Sequence, residues 1–293
     1  MISRTELVAF ARDSIARGSK SFGAASALFD PVTRERAWLL YAWCRAADDL
    51  ADGQVLGHGM TEVSDPHARL ATIRALTARS LAGAETGNPA FDALGVVARE
   101  CRIPPRYIHD LVDGFALDAD GFRPQDEADL YRYCYHVAGA VGCMMAVIMG
   151  VDPADAATLD RACDLGIAFQ LANIARDLAE DEAAGRCYVP RDWQGEPRAG
   201  IAVRLAALAE AHEASARHGA RTLRFRSAWA VLAAAGIYGD IAREVRARGD
   251  AAWDRRVTTS KTAKLGWVAR AFAQALLRRR IADPGRMGLY ARP

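Results

Sequence analysis

"RERAWLLYAWCRAADDLAD" (residues 34–52) is mostly apolar and then sets three aspartates within five positions. Like charges four residues apart destabilise a helix, and burying a carboxylate costs more still. At about 100° per residue, Tyr41, Arg45, Asp48 and Asp52 share one face, with Asp49 pointing off it. A second stretch, "LGIAFQLANIARDLAED" (residues 165–181), repeats the design with Gln170, Asn173, Asp177 and Asp181 on one face. Each helix carries a polar stripe ending in two carboxylates. Neighbours such as Trp38, Trp43, Ile167 and Ile174 are too apolar for ordinary surface helices.

The same helical period runs through most of the chain. Apolar residues recur at three- and four-residue spacing in 69–83, 88–101, 104–120, 204–219 and 264–280. Pro and Gly in "GNP", "IPP" and "VDP" mark short loops, and alternating β-branched runs are absent. Loose segments are expected at 52–66 and 190–200. One all-α domain of about ten helices, spanning 1–293, is the economical reading.

Composition narrows the function. The 293 residues are 51% hydrophobic with a formal net charge of +2, which gives no support for nucleic-acid binding. The basic "LLRRRIADPGR" (276–286) reads as a solvated helix end. The N-terminus is too interrupted by charge for a secretory signal. The uncharged run "VAGAVGCMMAVIMGV" (137–151) falls short of the roughly 20 residues a membrane span needs. Six scattered cysteines without a CxxC pair fit core thiols in a reduced cytoplasmic protein, not a zinc site.

Two carboxylate pairs need a positive charge between them, and Mg²⁺ fits. It takes oxygen ligands, one or two protein carboxylates at a time, and completes its shell with water and substrate phosphate. Neither stripe holds Cys or His, so softer metals are poorly served. Arg45 and Arg176 flank the clusters and suit phosphate oxygens. A lone DDxxD is usually a solvated helix face; two matched clusters on apolar helices are not.

These motifs resemble the squalene and phytoene synthase family, most closely its bacterial phytoene-forming branch. The resemblance runs in order through "GSKSF" (18–22), "LYAWCRAADDLAD" (40–52), "LYRYCYHVAGAVG" (130–142), "DRACDLGIAFQLANIARDLAEDEAAGRCYVP" (160–190) and "SAWAVLAAAGIYGDI" (227–241). It implies the all-α isoprenoid synthase fold, with helices around a central cavity and the acidic pair facing each other across it. Carried over by position, Asp48, Asp52, Asp177 and Asp181 hold Mg²⁺ (Mn²⁺ able to substitute) against substrate diphosphates. Ser19, Ser21, Arg45, Gln170, Asn173 and Arg176 line the diphosphate sites, with Arg256 as a late basic contact. Phe22, Tyr41, Tyr238 and the pair Tyr133/Tyr135 fall at aromatic positions near the reacting carbons, which of the pair faces the cavity being open. "GSKSF" also reads as a helix stop with Ser caps, and "GRCYVP" as a helix exit. His136 reads as a satisfied core histidine.

The implied reaction is head-to-head condensation of two isoprenyl diphosphates, geranylgeranyl diphosphate in the phytoene type. It needs no protein nucleophile, and no NADPH is expected. The lack of a C-terminal hydrophobic anchor favours the bacterial type, with peripheral membrane contact expected because substrate and product are lipids. Small residues at Gly139, Ala140, Gly142 and Ala146 are expected to deepen the prenyl tunnel, with close packing against another helix as the competing reading. The rivals are farnesyl diphosphate as substrate, a terpene cyclase or head-to-tail synthase on the same fold, and a catalytically inert helical scaffold.

Overall fold

Short polar caps set the beginnings of the helices. Asp30, Asp65, Asn88, Asp126, Asp155 and Ser260 each accept a hydrogen bond from a backbone N–H in the first turn that follows, and Ser3 forms a reciprocal capping box with Glu6. In the computed structural model, which describes residues 2–53 and 65–293, these caps open seven of twelve α-helices. The twelve begin with α1 (Arg4–Gly18), α2 (Lys20–Ser26), α3 (Pro31–Asp52), α4 (Pro66–Leu81), α5 (Pro89–Cys101) and α6 (Pro105–Ala119). After them come α7 (Glu127–Cys134), α8 (Ala140–Ile148), α9 (Ala156–Ala183), α10 (Arg198–Gly219), α11 (Phe225–Arg248) and α12 (Lys261–Leu276). No strand is formed among the described residues beyond one isolated bridge, Gln194 to Glu196. No described helix is long and apolar enough to cross a membrane, and all six cysteines are free.

The 28-residue α9 is the axis of the fold, packed against α8, α10 and α11. A single buried cluster extends from Leu7 in α1 to Val257 before α12, with Trp43, Phe91, Tyr107 and Ile167 fully enclosed. The α3 helix ends at Asp52, capped by Gly53 in the left-handed conformation (φ 66°). That stop places the first aspartate cluster in the last turns of its helix.

The expected loop at 52–66 falls mostly outside the described residues. Two boundaries differ from the sequence reading. α10 begins at Arg198 and not near 204, because Ile201, Ala202 and Leu205 bury one face of the added turn. α12 ends at Leu276, and Arg278–Arg280 form a 3₁₀ turn in which the Arg278 guanidinium donates to the Leu223 and Ala275 carbonyls.

Part of the small-residue stripe before and along α8 also serves packing. A Cβ on Gly142 would overlap the Ala162 carbonyl of α9, and one on Gly166 would overlap the Ala138 carbonyl. Gly139 likewise abuts Cys163 and Tyr135. The two backbones touch here, so Gly139 and Gly142 serve close packing of the helices, while Gly142, like Ala146, also borders an apolar cavity. Gly142→Ala is therefore expected to lower stability by about 1–3 kcal/mol through overpacking, read as an earlier thermal melt. A variant melting with the parent would show that the helices can part freely.

Candidate active site

Both polar stripes face one chamber. Tyr41, Arg45, Asp48 and Asp52 of α3 stand across from Gln170, Asn173, Asp177 and Asp181 of α9 around a cavity of about 350 Å³. Helical period alone put each quartet on one face; packing of α3 and α9 about a common centre brings the faces together. Asp49 is outside the lining and lies 3.6 Å from Arg45.

Charge in the chamber is unbalanced at its centre. Burial pushes Asp48 up to about 6, against the pull of Arg45 at 2.6 Å, and the Asp52 carboxylate adds to the rise. Burial and then the neighbouring Asp177 raise Asp181 to about 6, and burial raises Asp52. Both clusters also sit near the C-terminal ends of their helices, where exposed carbonyls add negative potential. Carboxylates placed there cost energy, and a hard divalent cation removes that cost. The donor set is all oxygen, with no Cys or His among the four, which suits Mg²⁺. Among the described residues no three acidic, His or Cys side chains converge as a closed metal cage. An open carboxylate pair on each wall is the arrangement expected of a metal shared with substrate phosphate.

Arginines ring the carboxylates. Arg176 forks onto Asp177 at 2.8 and 2.5 Å. Arg256, from the segment before α12, reaches Asp177 at 3.1 Å and also pairs with Glu180. The Arg45 Nε and the Tyr41 hydroxyl are buried without a hydrogen-bond partner among the described residues. Such unspent polar groups beside a carboxylate cluster suit an oxyanion ligand.

Three lining residues were missed from the sequence. Arg186 lies 3.8 Å from Asp52 and brings positive charge between the two acidic walls. Tyr188 stacks on Tyr133 with ring centroids 4.7 Å apart. Both hydroxyls donate to Asp118 of α6, at 3.1 Å from Tyr133 and 3.2 Å from Tyr188. Burial raises Asp118 to about 6 in spite of these hydrogen bonds. The "GRCYVP" segment reads locally as a helix exit, and Asp118 belongs to no stripe, so only the tertiary contacts reveal them.

The tyrosine pair is separated by geometry. Residues two apart on a helix point about 200° from each other, so one alone can face the chamber. That residue is Tyr133. Tyr135 is turned away, its hydroxyl donating to Asp110 at 2.5 Å and its ring against Tyr290, and this corrects the inclusion of Tyr135 among substrate contacts. A π-helical turn, Tyr135–Gly139, joins α7 to α8 and sets Val137 and Val141 on the chamber side with Tyr133. His136 is satisfied by the Asp110 carbonyl at 2.8 Å.

Beyond Gln170, Asn173 and Tyr41 the chamber continues into an apolar cavity of about 480 Å³. Its wall includes Ser19, Phe22, Ala146, Met149 and Tyr238. Phe22 packs against Tyr41 at 5.5 Å, and Tyr238 stacks on Phe169 at 4.2 Å. The Ser19 hydroxyl caps α2 by accepting from the Phe22 N–H, so the capping role read in "GSKSF" is real at this position. Ser21 lies in α2, with its side chain outside the described residues.

An all-α bundle with two facing aspartate helices around a central cavity is the isoprenoid synthase fold. A solved dehydrosqualene synthase superposes with a TM-score of 0.83 at 26% identity, over 94% of this chain and 98% of that one. A squalene synthase from Alicyclobacillus acidocaldarius shares the fold at TM-score 0.72 and 22% identity, over 84% and 95% of the two chains. The squalene/phytoene synthase family model matches residues 15–263. The chain is 42% identical to a phytoene synthase of Pseudescherichia vulneris and to a 15-cis-phytoene synthase of Pantoea ananas, in each case over the whole of both chains. This chain belongs to the squalene/phytoene synthase family.

Proposed function

We propose that the protein is a phytoene synthase, a prenyltransferase acting as one all-α domain. It joins two geranylgeranyl diphosphates head to head, through the cyclopropyl intermediate prephytoene diphosphate, to phytoene, with release of two diphosphates. This is the first committed step of carotenoid biosynthesis. The observation that carries the reading is the junction of a carboxylate- and arginine-lined chamber with a long apolar cavity, in a chain whose full-length relatives carry that activity in their names.

Asp48, Asp52, Asp177 and Asp181 would hold the divalent metal, Mg²⁺ or Mn²⁺. When bound, it supplies Lewis-acid neutralisation of charge on the departing diphosphate. Arg45, Arg176, Arg186 and Arg256 bind and orient phosphate oxygens from both walls. Gln170 and Asn173 stand where the chamber meets the apolar cavity, so they fix the diphosphate end of a substrate whose tail runs past them. Rings of Phe22, Tyr41, Tyr133 and Tyr238 line the path of the allylic cation and stabilise it through their faces. The apolar wall excludes water that would quench it.

Supplied with geranylgeranyl diphosphate and Mg²⁺ but no NADPH, the purified protein is expected to form phytoene. Preference for farnesyl diphosphate, a cyclic product, or product only with NADPH would overturn the reading in favour of its rivals. Chain length has its own test. Ala146 is 1% exposed and lines the apolar cavity. Ala146→Phe is expected to cut turnover of the C20 substrate at least about tenfold more than that of the C15 substrate. Equal loss of both, with an early melt, would mean that the site tolerates no larger side chain for packing reasons.

A further inference from the structure

Among the described residues, little packs against one face of α12. Leu265, Ala269, Phe272 and Leu276 share a single exposed stripe, with Leu265 70%, Phe272 41% and Leu276 60% exposed. Phe272 continues the stripe onto α11, where it meets Phe225 and Trp229 edge-on at 5.4 and 5.1 Å. Scattered exposed leucines are ordinary; a row of them joined to an aromatic cluster marks an interaction surface.

Basic residues stand at both ends of that row. Lys261 lies on the same face of α12 at its start, Arg279 and Arg280 follow its C-terminal end, and Arg221 and Arg224 stand before α11, all exposed. From Ala214 to Gly239 and from Arg255 to Ala282 the chain has no Asp or Glu. The whole protein carries a net charge of only +2, so positive charge is concentrated on this side. An apolar stripe framed by Lys and Arg complements a negatively charged bilayer surface: apolar side chains enter the acyl boundary while the cations meet headgroups.

The cavity lies behind the same surface. Ala220, Leu223 and Val231, which wall the apolar cavity far from the aspartates, belong to the turn and helix that carry Phe225 and Trp229. We infer that the α11–α12 face, centred on Leu265, Phe272 and Leu276, seats the protein on an anionic lipid leaflet with the distal end of the prenyl cavity turned toward the membrane. The inference deepens the functional reading above, on which the hydrocarbon nature of the product rests. It gives that product an apolar destination next to where its chains lie.

Flotation of the full-length protein with vesicles tests this without substrate. Vesicles of phosphatidylcholine containing about a third phosphatidylglycerol should carry the protein upward, and phosphatidylcholine alone should carry far less. Raising ionic strength from about 0.1 to about 1 M shortens the screening length from about 10 to about 3 Å and should weaken the binding. Leu265→Ser/Leu276→Ser should lose at least about tenfold in vesicle affinity, with an unchanged melt and unchanged turnover of detergent-dispersed substrate. Arg279→Glu/Arg280→Glu should lose the preference for anionic vesicles. Parent protein left in the aqueous fraction, or a leucine variant that floats like the parent, would overturn the assignment. So would a parent dimer that the leucine variant dissolves to monomers without any vesicle binding. Failure to make phytoene with flotation intact would instead count against the catalytic reading alone.

Discussion

Asp48→Asn and Asp177→Asn are each expected to lower turnover at least about a thousandfold while leaving the helical circular dichroism spectrum unchanged. Each change keeps the side-chain volume and removes one negative charge from a wall of the chamber. Neither should unfold the protein, because relief of repulsion from Asp52 and Asp49 at Asp48, and from Asp181 at Asp177, offsets the weakened pairing with Arg45 and with Arg176 and Arg256. Full turnover in either variant would sink the assignment of these groups as metal holders. A stability measurement gives an independent reading. Asp48 and Asp181 are raised to about 6 in the folded protein from an ordinary value of 3.8. Protonation therefore favours the folded state: their contribution is fully present below about pH 4 and is lost as pH rises through about 6. Mg²⁺ competes with those protons. It is expected to raise the melting temperature of the metal-free protein more at pH 7.5 than at pH 5, with a smaller gain in both aspartate variants. An identical Mg²⁺ effect at both pH values would contradict the electrostatic account.

Arg286→Met should be the most damaging single change to stability away from the chamber. Asp164, in the first half of α9, is fully buried, and its counter-charge comes from the chain's last segment. Arg286 donates to it at 2.8 and 3.0 Å, and the Ser215 hydroxyl of α10 donates as well. The same guanidinium reaches Asp160 at 3.3 Å and the Tyr290 carbonyl at 2.8 Å. Removing the cation leaves a buried carboxylate with the Ser215 hydroxyl but no counter-charge from Arg286, a loss of about 3–5 kcal/mol. For a chain of this size that is a fall in melting temperature of about 10 °C. Adding Asp164→Asn to the variant should recover part of the loss, because the uncompensated charge is gone. A single variant melting within a degree or so of the parent would show that water reaches Asp164.

The aspartate stripes were legible because a helix imposes a fixed angle per residue. Once 34–52 and 165–181 are helical, the grouping of Tyr41, Arg45, Asp48 and Asp52, and of Gln170, Asn173, Asp177 and Asp181, follows from spacing. The sequence therefore determined the all-α class, the two acidic faces and, through its ordered motifs, the family. It could not choose between Tyr133 and Tyr135, since period gives the angle between side chains and not the direction of either. It could not see Asp118, Arg186 and Tyr188, which reach the chamber from α6 and from an irregular segment that carries no periodic signal. It left Gly139 and Gly142 open between room for substrate and helix packing, and the Ala162 carbonyl against Gly142 shows the packing. Only the tertiary structure decided these points, because each depends on which surfaces are pressed together across long separations in the chain. The apolar stripe of α12 belongs with them: Leu265, Phe272 and Leu276 are spaced like core residues, and only the finished fold leaves them facing outward.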